Sequence, residues 1–218
     1  MASIAIDGPA GAGKSTIAKQ VAKQLGFIYV DTGAMYRAIA FELCKKNIQV
    51  EDIELIRELC ERIVVEIRYE NGTQQVHTNG ENVTPYLRNE EVGVMASKAS
   101  VIPEVRAALL ELQRQMAIQN DVVMDGRDIG TFVLPNADLK IYLTASAKER
   151  ANRRWKELHA QGVEADIQII EKDIVERDER DMNRAISPLR QAEDAVLIDS
   201  SDMTIDEVVT RIIGLYQK

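Results

Sequence analysis

The chain has 218 residues, a length that fits one large domain or a core with an excursion better than two unrelated domains. Its composition, 45% hydrophobic and 28% charged, is that of a globular protein and excludes disorder and collagen-like repetition. The net charge of −8 argues against general nucleic-acid binding, which requires Lys and Arg to neutralise phosphates. No signal-peptide pattern and no apolar run of roughly 18 residues occurs, so we expect a cytoplasmic protein without a membrane or nucleic-acid partner.

Strand and helix alternate along the first part of the chain. The apolar residues 3–7 predict a buried strand, and helical spacing from Ile17 to Leu25 ends at Gly26, a residue typical of a helix C-terminus. Residues 27–30 predict a second strand, and residues 33–46 a second helix. This alternation is typical of a parallel α/β sheet.

A different pattern follows a predicted helix over residues 53–61. Residues 63–83 alternate apolar and polar side chains and contain two Asn-Gly pairs, Asn71-Gly72 and Asn79-Gly80. Asn-Gly favours tight hairpin turns, so this segment predicts a small antiparallel meander inserted into the α/β pattern.

The second half of the chain returns to alternating elements. Helices are predicted from about residue 90 and over 103–117, 147–161, 165–183 and 205–216, and strands over 121–125, 139–143 and 195–198. Cys44 and Cys60 lie in helical stretches without a metal-binding spacing, and we expect two free core thiols.

Residues 8–15 have the pattern G-x-x-x-x-G-K-S between the first predicted strand and helix. Glycines at this position let backbone amides converge on phosphate oxygens, and the helix N-terminus adds partial positive charge. We expect Lys14 to reach the terminal phosphates and Ser15 to ligate magnesium. The motif predicts nucleotide binding but does not say how the nucleotide is used.

Two motifs that the sequence lacks limit how the bound nucleotide could be used. The chain has no N-K-x-D motif for reading guanine, and the strand over residues 121–125 ends in Asp125-Gly126 where a water-activating ATPase would have an Asp-Glu pair. A GTP switch or a motor ATPase is therefore disfavoured.

Arginines recur at spacings that place them in rows. Three lie within one helical turn of each other and three more at i, i+3 and i+7 of the next helix: Arg150, Arg153 and Arg154, then Arg177, Arg180 and Arg184. Each row fits either a cleft lining or a solvated, ion-paired surface. Arg37 and Arg127 follow predicted strands, at the sheet edge where ligands bind, which favours a functional role.

Such arginines suit an acceptor that is itself a phosphate, because two polyanions must be aligned and the transferring charge stabilised. An ionised phosphate needs no general base. This is consistent with the absence of a Ser-His-Asp or Cys-His arrangement, and His77 and His159 are expected at the surface.

Four motifs together resemble the bacterial cytidylate kinase family, P-loop nucleoside monophosphate kinases, over essentially the whole chain. They are G-P-A-G-A-G-K-S-T over residues 8–16, D-T-G-A-M-Y-R over 31–37, G-R-D-I-G over 126–130 and R-D-E-R-D-M-N-R over 177–184. The resemblance implies a P-loop NTPase-type parallel sheet flanked by helices. It also implies an antiparallel monophosphate-binding insertion at about residues 63–89, a core over about 1–62 and 90–218, and a short helical lid at about 150–166.

The activity implied by the resemblance is transfer of the ATP γ-phosphoryl group to CMP or dCMP with Mg²⁺, by a monomer. The implied ATP-binding residues are Gly8, Pro9, Ala10, Gly11, Ala12, Gly13, Lys14, Ser15, Thr16 and, in the lid, Arg150, Arg153 and Arg154. The implied acceptor-phosphate residues are Arg37, Arg127 and Arg184, with Lys14, Arg127 and Arg184 as the catalytic set. The implied cytosine-reading residues are Ser97, Arg106 and Asp128, and those near the sugar are Thr32, Arg177 and Asp181.

The residues alone leave alternatives open. A P-loop kinase could act on UMP, AMP or a metabolite hydroxyl, and a hydroxyl acceptor would require a base such as Asp31 or Asp128. A nucleotide-dependent regulatory module would bind ATP without an acceptor pocket, which the pair Arg37 and Arg127 disfavours.

Overall fold

The computed structural model describes residues 1–217 and contains eight strands and eight α-helices within that range. The strands are β1 Ser3–Asp7, β2 Ile28–Asp31, β3 Val65–Glu70, β4 Thr73–Thr78, β5 Glu81–Asn82, β6 Val122–Gly126, β7 Leu139–Thr144 and β8 Val196–Asp199. The helices are α1 Lys14–Leu25, α2 Thr32–Lys45, α3 Ile53–Arg62, α4 Glu90–Ala99, α5 Pro103–Gln119, α6 Ala147–Ala160, α7 Ile167–Asn183 and α8 Ile205–Tyr216. All of the predicted elements are present, and the α/β fold is confirmed. A 3₁₀ turn over Thr84–Tyr86 and a π-helical turn over Ile129–Val133 were not predicted.

The chain divides into two compact units. The first contains Met1–Tyr29 and the chain from Asn120 onward, and the second contains Val30–Gln119. The five-stranded parallel sheet has the order β2-β6-β1-β7-β8, and a separate three-stranded antiparallel sheet has the order β3-β4-β5.

The core of the first unit lies where α1 and α8 pack on the parallel sheet. Ile4 and Ile6 of β1 are fully buried, and they share a cluster with Val21 of α1 and Ile212 of α8. Because both faces of β1 are covered, its sequence is an unbroken apolar run and not an alternating one. At the carboxyl end of β1, Asp7 is still paired on both sides, with Gly126 of β6 and with Tyr142 of β7.

The antiparallel sheet of the second unit follows from its two Asn-Gly turns. Asn71 and Gly72 have φ values of 51° and 73°, and Asn79 and Gly80 have 50° and 85°. Both residues of each pair thus adopt the left-handed conformation that a tight hairpin turn with strong twist requires. Val76 of β4 packs with Ala38 of α2, so this sheet is built onto a helix.

Candidate active site

The loop over residues 8–13 connects β1 to α1 at the carboxyl edge of the parallel sheet. A Cβ at Gly8 would collide with the carbonyl oxygen of Leu143, so only glycine lets the chain leave β1 at this point. Gly13 has a φ of 87° and precedes the first residue of α1. The loop therefore ends at a helix N-terminus that no side chain caps, and the first N–H groups of such a helix are suited to binding phosphate oxygens.

Lys14 is the first residue of α1, and its side chain is buried with 6% exposure. Its Nζ donates a hydrogen bond to the Pro9 carbonyl, 2.7 Å away. Burial, reinforced by the positive charge of Arg127, lowers the pKa of Lys14 to about 7. A phosphate near this ammonium would favour its charged form.

Ser15 and Asp125 bring together oxygen atoms suited to a hard cation. The Ser15 hydroxyl donates to Asp125 Oδ2 across 3.0 Å, and the Tyr29 hydroxyl donates to Asp125 Oδ1 across 2.9 Å. Within residues 1–217 no group of three acidic, His or Cys side chains is arranged to hold a metal by itself. Magnesium usually takes only one or two protein ligands together with phosphates and water, so Ser15 and Asp125 fit it. Asp125 is not among the site residues predicted from the sequence, although its position at the end of a buried strand is a signal.

Asp7 is a further acidic group at this edge, and it is not among the site residues predicted from the sequence. It is 5% exposed, and its two carboxyl oxygens accept the backbone N–H groups of Ile129 and Gly130 at 2.8 and 2.7 Å. Burial raises its pKa to about 6 despite these two hydrogen bonds. Asp7 thus ties the end of β1 to the turn that follows Arg127 and Asp128.

Four of the predicted acceptor-side residues in the first unit form two ion pairs. Arg127 Nε donates to Asp181 Oδ2 at 2.8 Å, and Arg184 Nη2 lies 3.5 Å from Asp128 Oδ1. Arg127 follows β6 immediately, while Asp181 lies on α7. Burial would raise the pKa of Asp181, but Arg127 and the neighbouring Arg177 and Arg184 hold it below its ordinary value. The cluster combines carboxylates with several guanidinium groups, which are suited to an anionic ligand.

The two predicted arginine rows do not remain intact as rows. Arg150 is buried, whereas Arg153 is half-buried and donates to the Ser200 carbonyl at 2.7 Å. Arg154 is exposed and pairs with Glu157 of its own helix, and Arg180 is exposed and donates to the Glu176 carbonyl. Arg184, just after the end of α7, is buried, so each row has both a buried member and an exposed member.

The second unit carries the other predicted acceptor residues: Thr32, Arg37, Ser97 and Arg106. Arg106 is 6% exposed, and its guanidinium donates to the Ser100 carbonyl at 3.3 Å and lies 5.8 Å from the centre of the Tyr36 ring. Thr32 is buried at the start of α2, and Arg37 and Ser97 are half-buried.

Asp31 caps the helix that begins with Thr32. Its carboxylate accepts the Ala34 N–H at 2.9 Å, and its own backbone N–H donates to Gln74 Oε1. Asp31 thus has a structural role in helix capping, which weakens it as a general base for a hydroxyl acceptor.

The prediction that both histidines lie at the surface is wrong for His77. It is 5% exposed and lies on β4, the central strand of the antiparallel sheet, between Glu66 of β3 and Asn82 of β5. His159 is exposed and stacks on Trp155. Cys44 and Cys60 are free thiols as expected, but both are only partly buried.

The amino-acid sequence matches known proteins along nearly its whole length. The family model described as "Cytidylate kinase" matches residues 4–218. A relative named cytidylate kinase from Caldicellulosiruptor saccharolyticus is 50% identical over 216 residues, covering 99% of this chain and 96% of that protein. One of the same name from Desulfitobacterium hafniense is 51% identical over 213 residues, with 98% and 91% covered.

The solved structures support the fold. Shikimate kinase from Acinetobacter baumannii aligns with a TM-score of 0.50 at 15% sequence identity, covering 100% of this chain and 93% of that chain. No helix within the described residues has both the length and the apolar character of a membrane span.

Proposed function

The chain belongs to the cytidylate kinase family, a family of nucleoside monophosphate kinases, and from this premise we propose that it transfers the γ-phosphoryl group of ATP to CMP or dCMP. The observation that carries the proposal is the register at the sheet edge. Asp7 of β1 lies opposite Gly126 of β6, so the phosphate-binding loop and Arg127 leave neighbouring strands side by side. The phosphate-binding loop suits a phosphoryl donor, and Arg127 suits a phosphate acceptor.

On the donor side, we propose that the loop over residues 8–16 holds the ATP phosphates. The amides at the start of α1 and the Lys14 ammonium would face the β and γ phosphates, where negative charge is greatest. Because Lys14 is buried, its charge acts in a poorly screened environment. Its contribution is electrostatic stabilisation of the transferring group.

Magnesium would be held by the Ser15 hydroxyl and the Asp125 carboxylate, whose oxygens lie 3.0 Å apart. When bound with ATP, it supplies neutralisation of phosphate charge. Tyr29 donates to Asp125 and so orients the carboxylate from the side away from Ser15.

On the acceptor side, the proposed phosphate-binding residues are Arg127 and Arg184 of the first unit and Arg37 of the second. Arg127 and Arg184 are oriented by the carboxylates of Asp181 and Asp128, and their guanidinium groups suit a phosphate with two negative charges. The proposed cytosine readers are Ser97, Arg106 and Asp128, and the proposed residues near the sugar are Thr32, Arg177 and Asp181.

The reaction needs no base. An oxygen of the acceptor phosphate, already ionised near neutral pH, forms a bond to the γ-phosphorus while the bond to the β-γ bridging oxygen breaks. The electron pair of the broken bond leaves with ADP, and the product is CDP or dCDP. The arginines and Lys14 offset the repulsion between the two anions.

Coupled ADP release in ATP and magnesium tests the proposal, with CMP, dCMP, UMP, AMP and no acceptor compared at equal concentration. We expect CMP and dCMP to exceed the others by about tenfold or more, roughly 1.4 kcal/mol of discrimination in the transition state. A preference for UMP or AMP would identify a different nucleotide kinase. ADP release that does not depend on any acceptor would identify a hydrolase or a regulatory module.

A cytoplasmic location and a monomeric state stay predictions. Light scattering after size-exclusion chromatography tests the second, with one species near 24.4 kDa expected.

A further inference from the structure

Arg150 is the most completely enclosed arginine of α6, and each of its three nitrogens donates a hydrogen bond to the protein. Nε donates to the Ala145 carbonyl at 2.9 Å, Nη1 to the Ala10 carbonyl at 2.9 Å, and Nη2 to Asp178 Oδ2 at 2.6 Å. Its exposure is 5%. A side chain held in this way is part of the framework of the site and not a mobile contact.

The three acceptors belong to three different parts of the first unit. Ala10 lies in the phosphate-binding loop, Ala145 follows β7, and Asp178 lies on α7. The stem of Arg150 also lies under the loop, since a Cβ at Gly11 would be 3.5 Å from the Arg150 Cβ. One guanidinium group thus connects the donor loop to α7.

Asp178 depends on Arg150 for this arrangement. Oδ1 of Asp178 is buried without a hydrogen bond, and Oδ2 accepts from Arg150. If Arg150 were shortened, a buried carboxylate would lose its compensating charge and α7 would have to move or take up water. The helix that would respond carries Asp181, the partner of Arg127.

We infer that Arg150 and Asp178 form a strut that positions the phosphate-binding loop against α7, so that the donor loop and the acceptor-binding helix are held in register. The inference rests on the proposed function for its two substrates, but the strut itself rests on the contacts of Arg150. Arg150 is then a positioning residue, a role different from the direct ATP contact in a lid that the resemblance implies.

The two roles predict different effects on the two substrates. If Arg150 contacts ATP directly, Arg150→Met weakens ATP binding alone, and Asp178→Leu, which removes a partner of Arg150, also affects ATP binding alone. If it is a strut, either substitution weakens the binding of both ATP and CMP, each by about tenfold, because the phosphate-binding loop and α7 are no longer held in position relative to each other. We also expect kcat to fall by about a hundredfold, since the two phosphates lose alignment.

A double-mutant cycle makes the test specific. The affinities for ATP and for CMP are measured separately by calorimetry in both single variants and in the double variant that combines Arg150→Met with Asp178→Leu. The double variant should bind each nucleotide no more weakly than either single variant, because the shared contact is lost only once. Lys172→Met is the matched control. It removes a cation from an exposed ion pair with Glu176 on α7 and should leave both affinities unchanged.

Two further measurements keep the test decisive. If Arg150→Met does not fold, Arg150→Lys retains the charge near Asp178 but cannot reach all three acceptors, so intermediate losses for both nucleotides are expected. Hydrogen exchange of the α7 amides should speed up in Arg150→Met and in Asp178→Leu but not in Lys172→Met.

Three results would overturn the strut: wild-type affinities in Arg150→Lys, loss of ATP affinity alone in Arg150→Met, or unchanged exchange in α7. A wild-type protein without CMP-dependent ADP release would instead overturn the proposed function. The exchange comparison would then still decide the strut.

Discussion

The Arg150–Asp178 pair of the first unit and the Arg68–Glu66 pair of the second have nearly the same separation, 2.6 and 2.7 Å, but different surroundings. The side chains of Arg150 and Asp178 are 6% and 11% exposed, whereas those of Arg68 and Glu66 are 53% and 44% exposed. Water screens the second pair, and lengthening or breaking it costs little. Distance therefore does not rank charged contacts in this protein, but burial and the number of partners do.

The parallel-sheet edge concentrates such buried charges. Lys14, Asp7, Asp125 and Asp128 are each at most 6% exposed and lie in or next to the turns that follow β1 and β6. The charges of the antiparallel sheet in the second unit lie mainly on exposed strand faces. Substitutions in both regions test whether buried charges contribute more to activity and stability than exposed ones.

The largest effect is expected for Lys14→Ala. It removes a buried cation from the place where transferring charge develops, so kcat should fall by about a thousandfold. The fold should persist, because burial disfavours the Lys14 ammonium more than the neighbouring carboxylates stabilise it. Steady-state kinetics and circular dichroism measure the two effects. Near-normal turnover would remove Lys14 from the catalytic set.

Asp7→Asn should change how stability depends on pH. Burial raises the folded pKa to about 6 from an ordinary 3.8, so ionised Asp7 costs about 3 kcal/mol relative to its protonated form. The stabilising contribution is present below about pH 4 and is lost as the pH rises through about 6. Urea unfolding between pH 4 and 7 should therefore show the wild type losing stability relative to Asp7→Asn. A difference that stays constant with pH would contradict the buried-charge account.

Arg127→Ala should weaken CMP binding between tenfold and a hundredfold while changing ATP binding far less. The reason is that Arg127 belongs to the acceptor-side cluster with Asp181. Calorimetry with each nucleotide measures the split, and Arg180→Ala, an exposed arginine of α7, is the control. Equal losses of affinity for ATP and CMP would contradict the assignment of Arg127 to the acceptor side.

Asp128→Ala should reduce the preference for CMP over UMP by about tenfold, because polar groups matched to cytosine penalise the wrong base. Asp128 is 4% exposed, so its loss also changes the surroundings of Arg184. Asp128→Asn retains the size of the side chain and separates the two effects. An unchanged ratio of kcat/KM for CMP and UMP would exclude a base-reading role.

The smallest effect is expected for Arg68→Ala. Its ion pair with Glu66 is half exposed, so the free energy of unfolding should change by less than about 1 kcal/mol. Both kinetic constants should match those of the wild type. A loss of several kcal/mol in urea unfolding would show that surface pairs in the antiparallel sheet matter as much as the buried ones.

Local signals explain why the predicted elements match the structure. The Asn-Gly turns, Gly26 and the unbroken apolar runs each act through backbone geometry or burial within a few residues, and all are visible in the sequence. The P-loop could be predicted for the same reason, because its glycines, Lys14 and Ser15 are contiguous.

The residues that were missed or misplaced depend on distant partners. His77 is buried on β4, the central strand of its sheet, and a hairpin pattern says neither which strand is central nor which side chains other elements cover. The roles of Asp7 and Asp125 required the register of β1 with β6, which brings their surroundings together across more than a hundred residues.

The sequence by itself determined the order of strands and helices, the phosphate-binding loop and the family, because these are written in contiguous residues and spacings. Only the tertiary structure decided which charged side chains are buried and which partners hold them. Arg150 and Arg154 differ by one helical turn in the sequence, yet one is enclosed by three acceptors and the other is solvated. That difference arises from the packing of α6 on α7 and on the loop, and no local pattern encodes it.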